Sequence, residues 1–376
     1  MKVAVIKLGA RIAYGSRDTS GGNGEAKAII NMLYTGGADV HIYTKILKKD
    51  IIPDHLTIWN IEDEYKNIND RGYDSLIIIN GFVNFFGGAE ARDQILNYHL
   101  INNFDKKVYY IYCDPALTLR QIWGSIEKKE WSDKYDEVDI KITRDDITYI
   151  SQPYNLDSVK ELLQKTDDVN IKDVEYYPLE MFNCMDKKLE MVEEPSYDLL
   201  YGGTMRSNRR IDKMIKFYFG YPDDINVEMF GKIKIDDLVK RAEKKHETGL
   251  RNPSIGKAVN YSEYSKKVND TLAHVVIGDK WYEGNDMPQR CYQSIWASTI
   301  TFIDIELDPE KRVLGKSDVC SRFNYVKDRN EVIERLNKIK SNPYMRTAII
   351  KEQFDAIEFD TNEYCGNFVN LLKNKL

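Results

Sequence analysis

The chain has 376 residues, of which 42% are hydrophobic and 30% charged, and its formal net charge is −6 at pH 7. A chain of this length exceeds what one hydrophobic core usually covers, so two packed domains are expected. The negative net charge argues against a bulk polyanion binder, so any contact with nucleic acid must come from a local basic groove.

The sequence also predicts where the protein works and in what redox state. It contains no apolar run near the ~20 residues that a membrane helix needs, and its first residues lack the pattern of a signal peptide. Its five cysteines show neither zinc-binding spacing nor a disulfide framework. We therefore expect a cytoplasmic protein with reduced thiols and no membrane partner.

Residues 1–182 alternate short β-rich runs with helical patterns, which indicates a parallel sheet covered by helices. The predicted strands are 2–8, 38–44, 75–80, 107–114, 139–142 and 173–178. The predicted helices are 25–34, 89–103 and 156–164. The charged stretch 183–197 has no clean periodicity and is predicted to be an interdomain linker.

The same rhythm repeats over residues 198–343. The predicted strands are 199–202, 226–230, 273–278 and 300–304, and the predicted helices are 207–218, 235–245, 288–298 and 331–340. Residues 344–376 form a long helical segment that is expected to return to the first domain. The fold class is therefore α/β, with two doubly wound domains facing a cleft where ligands are expected to bind.

The segment 199–210 runs from a strand through a glycine turn into a helix. Gly202 and Gly203 let the backbone approach a ligand, and Arg206 and Arg210 lie four apart on one helix face. With the N–H groups of the helix N-terminus, they predict a cradle for a diphosphate. The alternative is that the arginines only solvate an exposed helix, since the third glycine of a dinucleotide fingerprint is missing.

Three further residues are candidates for chemistry. Arg290 falls early in the predicted helix 288–298, after a buried strand, and could reach a phosphate, although an arginine so placed more often lies on the surface. Asp114 ends an apolar strand, where desolvation would suit a general base, or it could cap the following turn. Glu25 follows a glycine-rich loop and could bind sugar hydroxyls or interact with the helix dipole.

The loop 80–88 sets three phenylalanines among glycines and asparagines. Core packing accounts for one or two of these rings. A ring exposed at the end of a strand would suit insertion into a base stack. No histidine-based triad, P-loop or paired metal-binding carboxylates are convincing.

Several motifs in one order resemble the DNA β-glucosyltransferases of T-even bacteriophages over nearly the whole chain. They are 83–88, Asp114 with Leu117, Gln121 and Trp123, 150–152 with 155–157, 177–180, 201–203 with Arg206, Ser207 and Arg210, 230–231, and 277–280 with Arg290. The resemblance implies two Rossmann-like domains in the GT-B arrangement. It favours the functional interpretations of Asp114 and the arginines over the alternatives.

The resemblance also implies roles for single residues. Asp114 would take the proton from a hydroxymethyl group and Glu25 would touch the donor sugar, while Asn84 and Phe85 or Phe86 would enter the DNA duplex as a cytosine flips out. The residues implied to bind the UDP-sugar are Gly203, Thr204, Arg206, Arg210, Phe230, Gly231, Arg290 and Gln293. The family is also helped by Mg²⁺ or Mn²⁺ at the diphosphate, without an all-protein cage.

Two departures from the family leave the donor sugar open. Gln293 stands where the family has a glutamate, and the first loop, 15–24, is longer and rich in glycine. Because that loop borders the family's sugar pocket, the donor is either UDP-glucose or UDP-arabinose.

The expected activity is inverting transfer of glucose or arabinose to 5-hydroxymethylcytosine in phage duplex DNA, which would protect that DNA from host restriction. A monomer in the cytoplasm of the infected bacterium is expected. The alternatives are a glycosyltransferase acting on a small molecule or lipid, and a non-catalytic DNA-binding protein that has kept the fold.

Overall fold

The computed structural model divides the chain into two compact units, Met1–Asn183 with Phe359–Leu376, and Cys184–Glu358. The residues that it describes are 1–8, 12, 21–44, 46, 53–80, 100–112, 143–152, 154–164, 173–179, 188–205, 207–244, 250–257, 259, 261–280 and 282–375.

Strands and helices alternate along the described residues. The strands are β1 Lys2–Leu8, β2 Asp39–Thr44, β3 Thr57–Asn60, β4 Ser75–Asn80, β5 Lys107–Tyr112, β6 Thr148–Ser151, β7 Asp173–Tyr176, β8 Tyr197–Thr204, β9 Val227–Lys232, β10 Ser254–Gly256, β11 Thr271–Val276, β12 Ile300–Asp304 and β13 Tyr325–Val326. The α-helices are α1 Gly21–Thr35, α2 Ile61–Glu64, α3 Leu156–Gln164, α4 Asn208–Tyr218, α5 Ile235–Lys244, α6 Tyr261–Asn269, α7 Arg290–Trp296, α8 Asp318–Phe323, α9 Arg329–Ser341, α10 Pro343–Ile357 and α11 Thr361–Lys373.

The first unit contains a seven-stranded sheet in the order β3-β2-β1-β4-β5-β6-β7, in which every pairing is parallel. Its strands are apolar on both faces, as a parallel sheet between two helical layers requires. On β1, Ala4 and Ile6 join one buried cluster, whereas Val3 and Val5 join another.

The C-terminal helix α11 completes the first unit. Its buried Phe368 and Leu372 share a cluster with Ile29 and Leu33 of α1. The segment 344–376 is thus divided, since α10 belongs to the second unit and α11 to the first.

The second unit contains a six-stranded, all-parallel sheet in the order β10-β9-β8-β11-β12-β13. Counted from its first strand, this order is 3-2-1-4-5-6, which is the Rossmann order, and the first unit follows it with one strand added. The order reverses between β8 and β11, so ligands are expected beyond the carboxyl ends of these two strands.

The residues predicted as a linker, 183–197, belong almost entirely to the second unit. Leu189 donates its backbone N–H to the carbonyl of Trp296 at 2.9 Å. Arg346 of α10 donates to the carbonyls of Val192 and Glu193 at 2.6 and 3.2 Å. The described part of this stretch is therefore held by α7 and α10.

One prediction near the N-terminus is wrong. Residues 21–24 were expected in a glycine-rich loop, but they form the first turn of α1. The first four N–H groups of a helix need no partner within it, and most helical stability comes from packing of the buried face. The burial of Ala26, Ile29 and Ile30 therefore supports a helix that begins with poor helix formers.

The predicted strand 139–142 and residues 89–99 of a predicted helix lie outside the described residues. Within the described parts of the chain, every helix is too short or too polar to span a lipid bilayer.

Candidate active site

Glycines bring the backbones of β8 and β9 together at the carboxyl end of the second sheet, where ligands are expected to bind. Gly203 and Gly231 are register partners, and Gly231 has φ +127°. A Cβ on Gly231 would lie 1.8 Å from the carbonyl oxygen of Gly203, and one on Gly202 would lie 2.5 Å from the ring of Phe230. Side chains at these positions would push the strands apart, which explains the glycine pair.

The helix α4 starts directly beyond this turn. Ser207 is its N-cap, and the Ser207 hydroxyl accepts the backbone N–H of Arg210 at 3.2 Å. Other N–H groups of the first turn have no intrahelical acceptor, and the positive end of the helix dipole lies at this turn. Such a helix start favours a bound anion.

Arg210 lies on the first turn of α4 and is only 3% exposed. Its Nη2 donates to Oδ2 of Asp279, just beyond β11, at 3.1 Å. Its Nε is buried and has no acceptor among the described residues. Burial lowers the pKa of Arg210, and the charge of Arg290 lowers it further, but a guanidinium stays protonated in proteins.

Arg290 opens α7 and brings a second guanidinium to the same place. Its Nη1 lies 3.4 Å from both the Tyr201 hydroxyl and the Gly202 carbonyl, and its guanidinium lies 5.7 Å from the centre of the Tyr201 ring. Of the carboxylates in the described residues, Asp279 alone lies within 4 Å of either guanidinium. The site therefore carries excess positive charge, which suits a diphosphate.

An aromatic wall adjoins the glycine turn. The ring centres of Phe230 and Tyr264 are 5.6 Å apart, and Phe230 is 2% exposed. Gln293 follows Arg290 by one helical turn and is 5% exposed, and its Nε2 has no acceptor within the described chain. Apolar rings and a free amide donor suit a nucleoside.

A cluster of charges holds α4 against the sheet. Lys213, 3% exposed, pairs with the fully buried Asp304 and lies 2.8 Å from Glu306 and 3.3 Å from Glu283. Glu283 also accepts from Arg209 at 2.8 Å. These pairs fix α4, and with it Arg210, relative to the loops that follow β11 and β12.

The structure brings together Gly203, Arg210, Phe230, Gly231, Arg290 and Gln293 of the predicted residues. Thr204 lies at the end of β8 and Glu25 in the second turn of α1, but their side chains are outside the description. The remaining predicted site residues, Asp114, Arg206, Asn84, Phe85 and Phe86, lie outside the described residues.

Sequence reasoning assigned no role to Tyr201, Asp279, Lys213 or Tyr264. The motif matches included Tyr201 and Asp279, so a signal for these two existed. Tyr264 lies on α6, whose polar sequence predicted no helix. The partners of Lys213 lie about 70 to 90 positions away in sequence, and no local pattern reveals them.

The described residues do not form a protein-held metal site. They contain no group of three or more His, Cys, Asp or Glu side chains placed to hold an ion. Asp279, the carboxylate beside the arginines, is already paired with Arg210.

Comparison with known proteins agrees with this picture. The family model "Bacteriophage T4 beta-glucosyltransferase" matches residues 23–183. The DNA beta-glucosyltransferase of Enterobacteria phage T4 is 28% identical over 313 residues, which are 83% of this chain and 85% of the relative.

Solved structures extend the likeness to the full length. The T4 phage enzyme in complex with UDP and Mn²⁺ superposes with a TM-score of 0.75 at 25% identity, covering 100% of this chain and 99% of that one. An alpha-glucosyltransferase in complex with UDP-glucose and DNA containing an abasic site superposes with a TM-score of 0.64 at 12% identity, again covering 100% and 99%. The second likeness concerns the fold alone. The chain thus has the GT-B fold, which confirms the predicted fold class.

Proposed function

We propose that this chain, which is similar to the phage DNA β-glucosyltransferases over most of its length, moves a sugar from a UDP-sugar to 5-hydroxymethylcytosine in duplex DNA. The observation that carries the proposal is the pair Arg210 and Arg290 at the ends of β8 and β11. The T4 relative, with which this chain shares its full length, was solved with UDP.

The donor half of the reaction rests on the described residues. The diphosphate lies at the N-terminus of α4, between Arg210 and Arg290, and the nucleoside lies against Phe230, Gly231 and Gln293. As the bond from the anomeric carbon to the phosphate oxygen breaks, UDP leaves with the electron pair. The preorganised guanidiniums and helix N–H groups stabilise that developing charge.

The acceptor half rests on the sequence. Asp114 takes the proton of the hydroxymethyl group, the oxygen forms a bond to the anomeric carbon on the face opposite to UDP, and the configuration inverts. Asn84 and Phe85 or Phe86 enter the duplex where the cytosine leaves it. The enzyme acts as a monomer in the cytoplasm of the infected bacterium.

Glucose is the donor sugar that we propose. The T4 relative is named a DNA beta-glucosyltransferase, whereas Gln293 and a glycine-rich loop over residues 15–24 would favour arabinose. Residues 21–24 of that loop are helical, so they do not rebuild a sugar pocket as a loop would. Discrimination against a sugar that lacks one hydroxymethyl group is about 10- to 200-fold if only apolar contact is lost.

The test uses the full chain with a 5-hydroxymethylcytosine duplex and equal concentrations of UDP-glucose and UDP-arabinose. The masses of the nucleosides from the digested DNA are then measured by mass spectrometry. We expect one added hexose per modified cytosine, and no product on a matched duplex with ordinary cytosine.

Each contrary result identifies a different error. An added pentose would show that the donor is arabinose. UDP-sugar hydrolysis or transfer without any dependence on the duplex would favour a small-molecule or lipid acceptor. Binding to the duplex without any transfer would favour a non-catalytic DNA-binding protein.

A further inference from the structure

A fully buried histidine lies under the helix that carries Arg290. His274, on β11, is 0% exposed, and its Nδ1 lies 2.5 Å from the Ser294 hydroxyl oxygen on α7. Ser294 in turn lies 2.7 Å from the backbone carbonyl of Arg290. The three groups form one hydrogen-bonded chain from the sheet to the first residue of α7.

The direction of each hydrogen bond follows from proton counting. A carbonyl oxygen only accepts, so the one hydroxyl proton of Ser294 is donated to Arg290. The contact between Ser294 and His274 therefore needs a proton from the imidazole, which places that proton on Nδ1. Burial, and then the charge of Arg290, lower the pKa of His274 to about 3, so the ring is neutral and Nε2 carries no proton.

This hydrogen-bonded chain lowers the stability of the fold in two ways. Nε2 of His274 is buried without a hydrogen-bond partner among the described residues, and a buried polar atom in that condition destabilises the folded state. A serine that bonds to the carbonyl four residues back also tends to bend a helix. An aliphatic residue at position 274 would avoid the first cost.

The hydrogen bonds from His274 through Ser294 hold the backbone of Arg290. Arg290 starts a helix of seven residues whose N-cap, Gln289, makes no side-chain capping bond. The Arg290 guanidinium donates only two hydrogen bonds to described residues, both at 3.4 Å. The direction of this long side chain therefore depends on how firmly its backbone is held.

We propose that His274 and Ser294 are positioning residues that hold the Arg290 backbone so that its guanidinium meets the donor diphosphate. The inference rests on the proposed function, since it assigns Arg290 to that phosphate. Loss of the hydroxyl or of the imidazole N–H leaves Arg290 present but less well ordered, which weakens UDP binding.

The experiment measures UDP affinity by calorimetry in purified full-length variants whose folding is checked by circular dichroism and thermal midpoint. S294A and H274L should each weaken UDP binding about three- to tenfold, as expected for loss of one hydrogen bond. H274N restores a side-chain N–H near the position of Nδ1 and should recover most of the wild-type affinity.

A matched control separates positioning from general stability. Thr299, fully buried in the same unit, donates its hydroxyl to the Val268 carbonyl at 2.6 Å. T299V removes a similar bond that does not involve Arg290, so it should lower the thermal midpoint as S294A does and leave UDP affinity unchanged.

A double-mutant cycle shows whether the effect passes through Arg290. In an R290A background, S294A should cause no further loss of affinity. An equal loss in both backgrounds would overturn the inference, as would wild-type affinity in both S294A and H274L while R290A is impaired. Absence of UDP binding in the wild type would instead defeat the proposed function.

Discussion

The helices α1 and α4 occupy the same topological position, each following the first strand of a Rossmann-type sheet, but they bury different chemistry. The face of α1 that meets its sheet is apolar, with Ile29 and Leu33 in the core. The buried face of α4 carries Arg210 and Lys213 beside apolar residues. One backbone arrangement thus supports an apolar helix in one unit and a charged helix in the other.

The contrast between α1 and α4 shows that the function of this fold depends on side chains rather than on the backbone arrangement. Burial of a charge is costly unless a partner and hydrogen bonds compensate it. In the second unit, Asp279 lies just beyond β11 and pairs with Arg210, and Asp304 lies at the end of β12 and pairs with Lys213. The fold places a helix after the first strand of each sheet. Carboxylates from distant strand ends allow that helix to bury cations in the second unit.

The largest expected effect separates the acceptor chemistry assigned to the first unit from the donor binding of the second. Asp114→Ala should slow transfer about 10²- to 10⁴-fold, the range for loss of a general base. UDP affinity, measured by calorimetry, should stay near that of the wild type, since the base acts on the acceptor. Near-normal turnover would remove Asp114 from the mechanism.

Removing the buried cation of Lys213 tests whether the stability of the second unit depends on its ion pair with Asp304. Lys213→Met leaves Asp304 buried without its cation and should cost about 3–5 kcal/mol of unfolding free energy, measured by urea denaturation of the full chain. The control Lys216→Met removes a half-exposed partner of Glu306 and should cost at most about 1 kcal/mol.

A second substitution should restore part of the stability that Lys213→Met removes. Adding Asp304→Leu to Lys213→Met removes the orphaned carboxylate and makes α4 pack more as α1 does, so part of the lost stability should return. If the double variant is less stable than Lys213→Met alone, the pair does not account for the destabilisation.

The next effect concerns binding by the charged helix and its neighbour. Arg290→Ala should weaken UDP binding by about 1.5–3 kcal/mol, the contribution of a charge-assisted hydrogen bond. Arg251→Ala is the control, because that guanidinium lies at the other end of the sheet and donates to the Ile225 carbonyl at 3.2 Å. Equal affinities in both variants would place the diphosphate elsewhere.

The smallest effect is on acid stability. The hydrogen bond from Lys213 lowers the pKa of Glu306 from 4.5 to about 2. A depressed carboxyl pKa contributes stability that is present above pH 4.5 and is lost as the pH falls toward 2. Glu306→Gln should therefore flatten the pH dependence of the urea midpoint in this window, and an unchanged slope would show that other carboxyls dominate it.

Local pattern was sufficient for much of the fold. The strands β1, β4 and β12 and the helix α3 have the predicted bounds, because long apolar runs or a strong amphipathic repeat determine them within a few neighbouring residues. The short strands β3, β6, β10 and β13 were not predicted. Such strands owe their conformation to hydrogen bonds with neighbouring strands rather than to their own residues.

In the candidate site, too, some features follow from local sequence and others only from the folded structure. The sequence is sufficient to predict the glycine turn and the arginines, and the resemblance names their ligand. The burial of Arg210 against Asp279, 69 positions away, and the link from His274 to Arg290 through Ser294 are seen only in the folded protein. Burial and partnership depend on which strand ends meet, and parallel crossovers bring together residues that no local pattern connects.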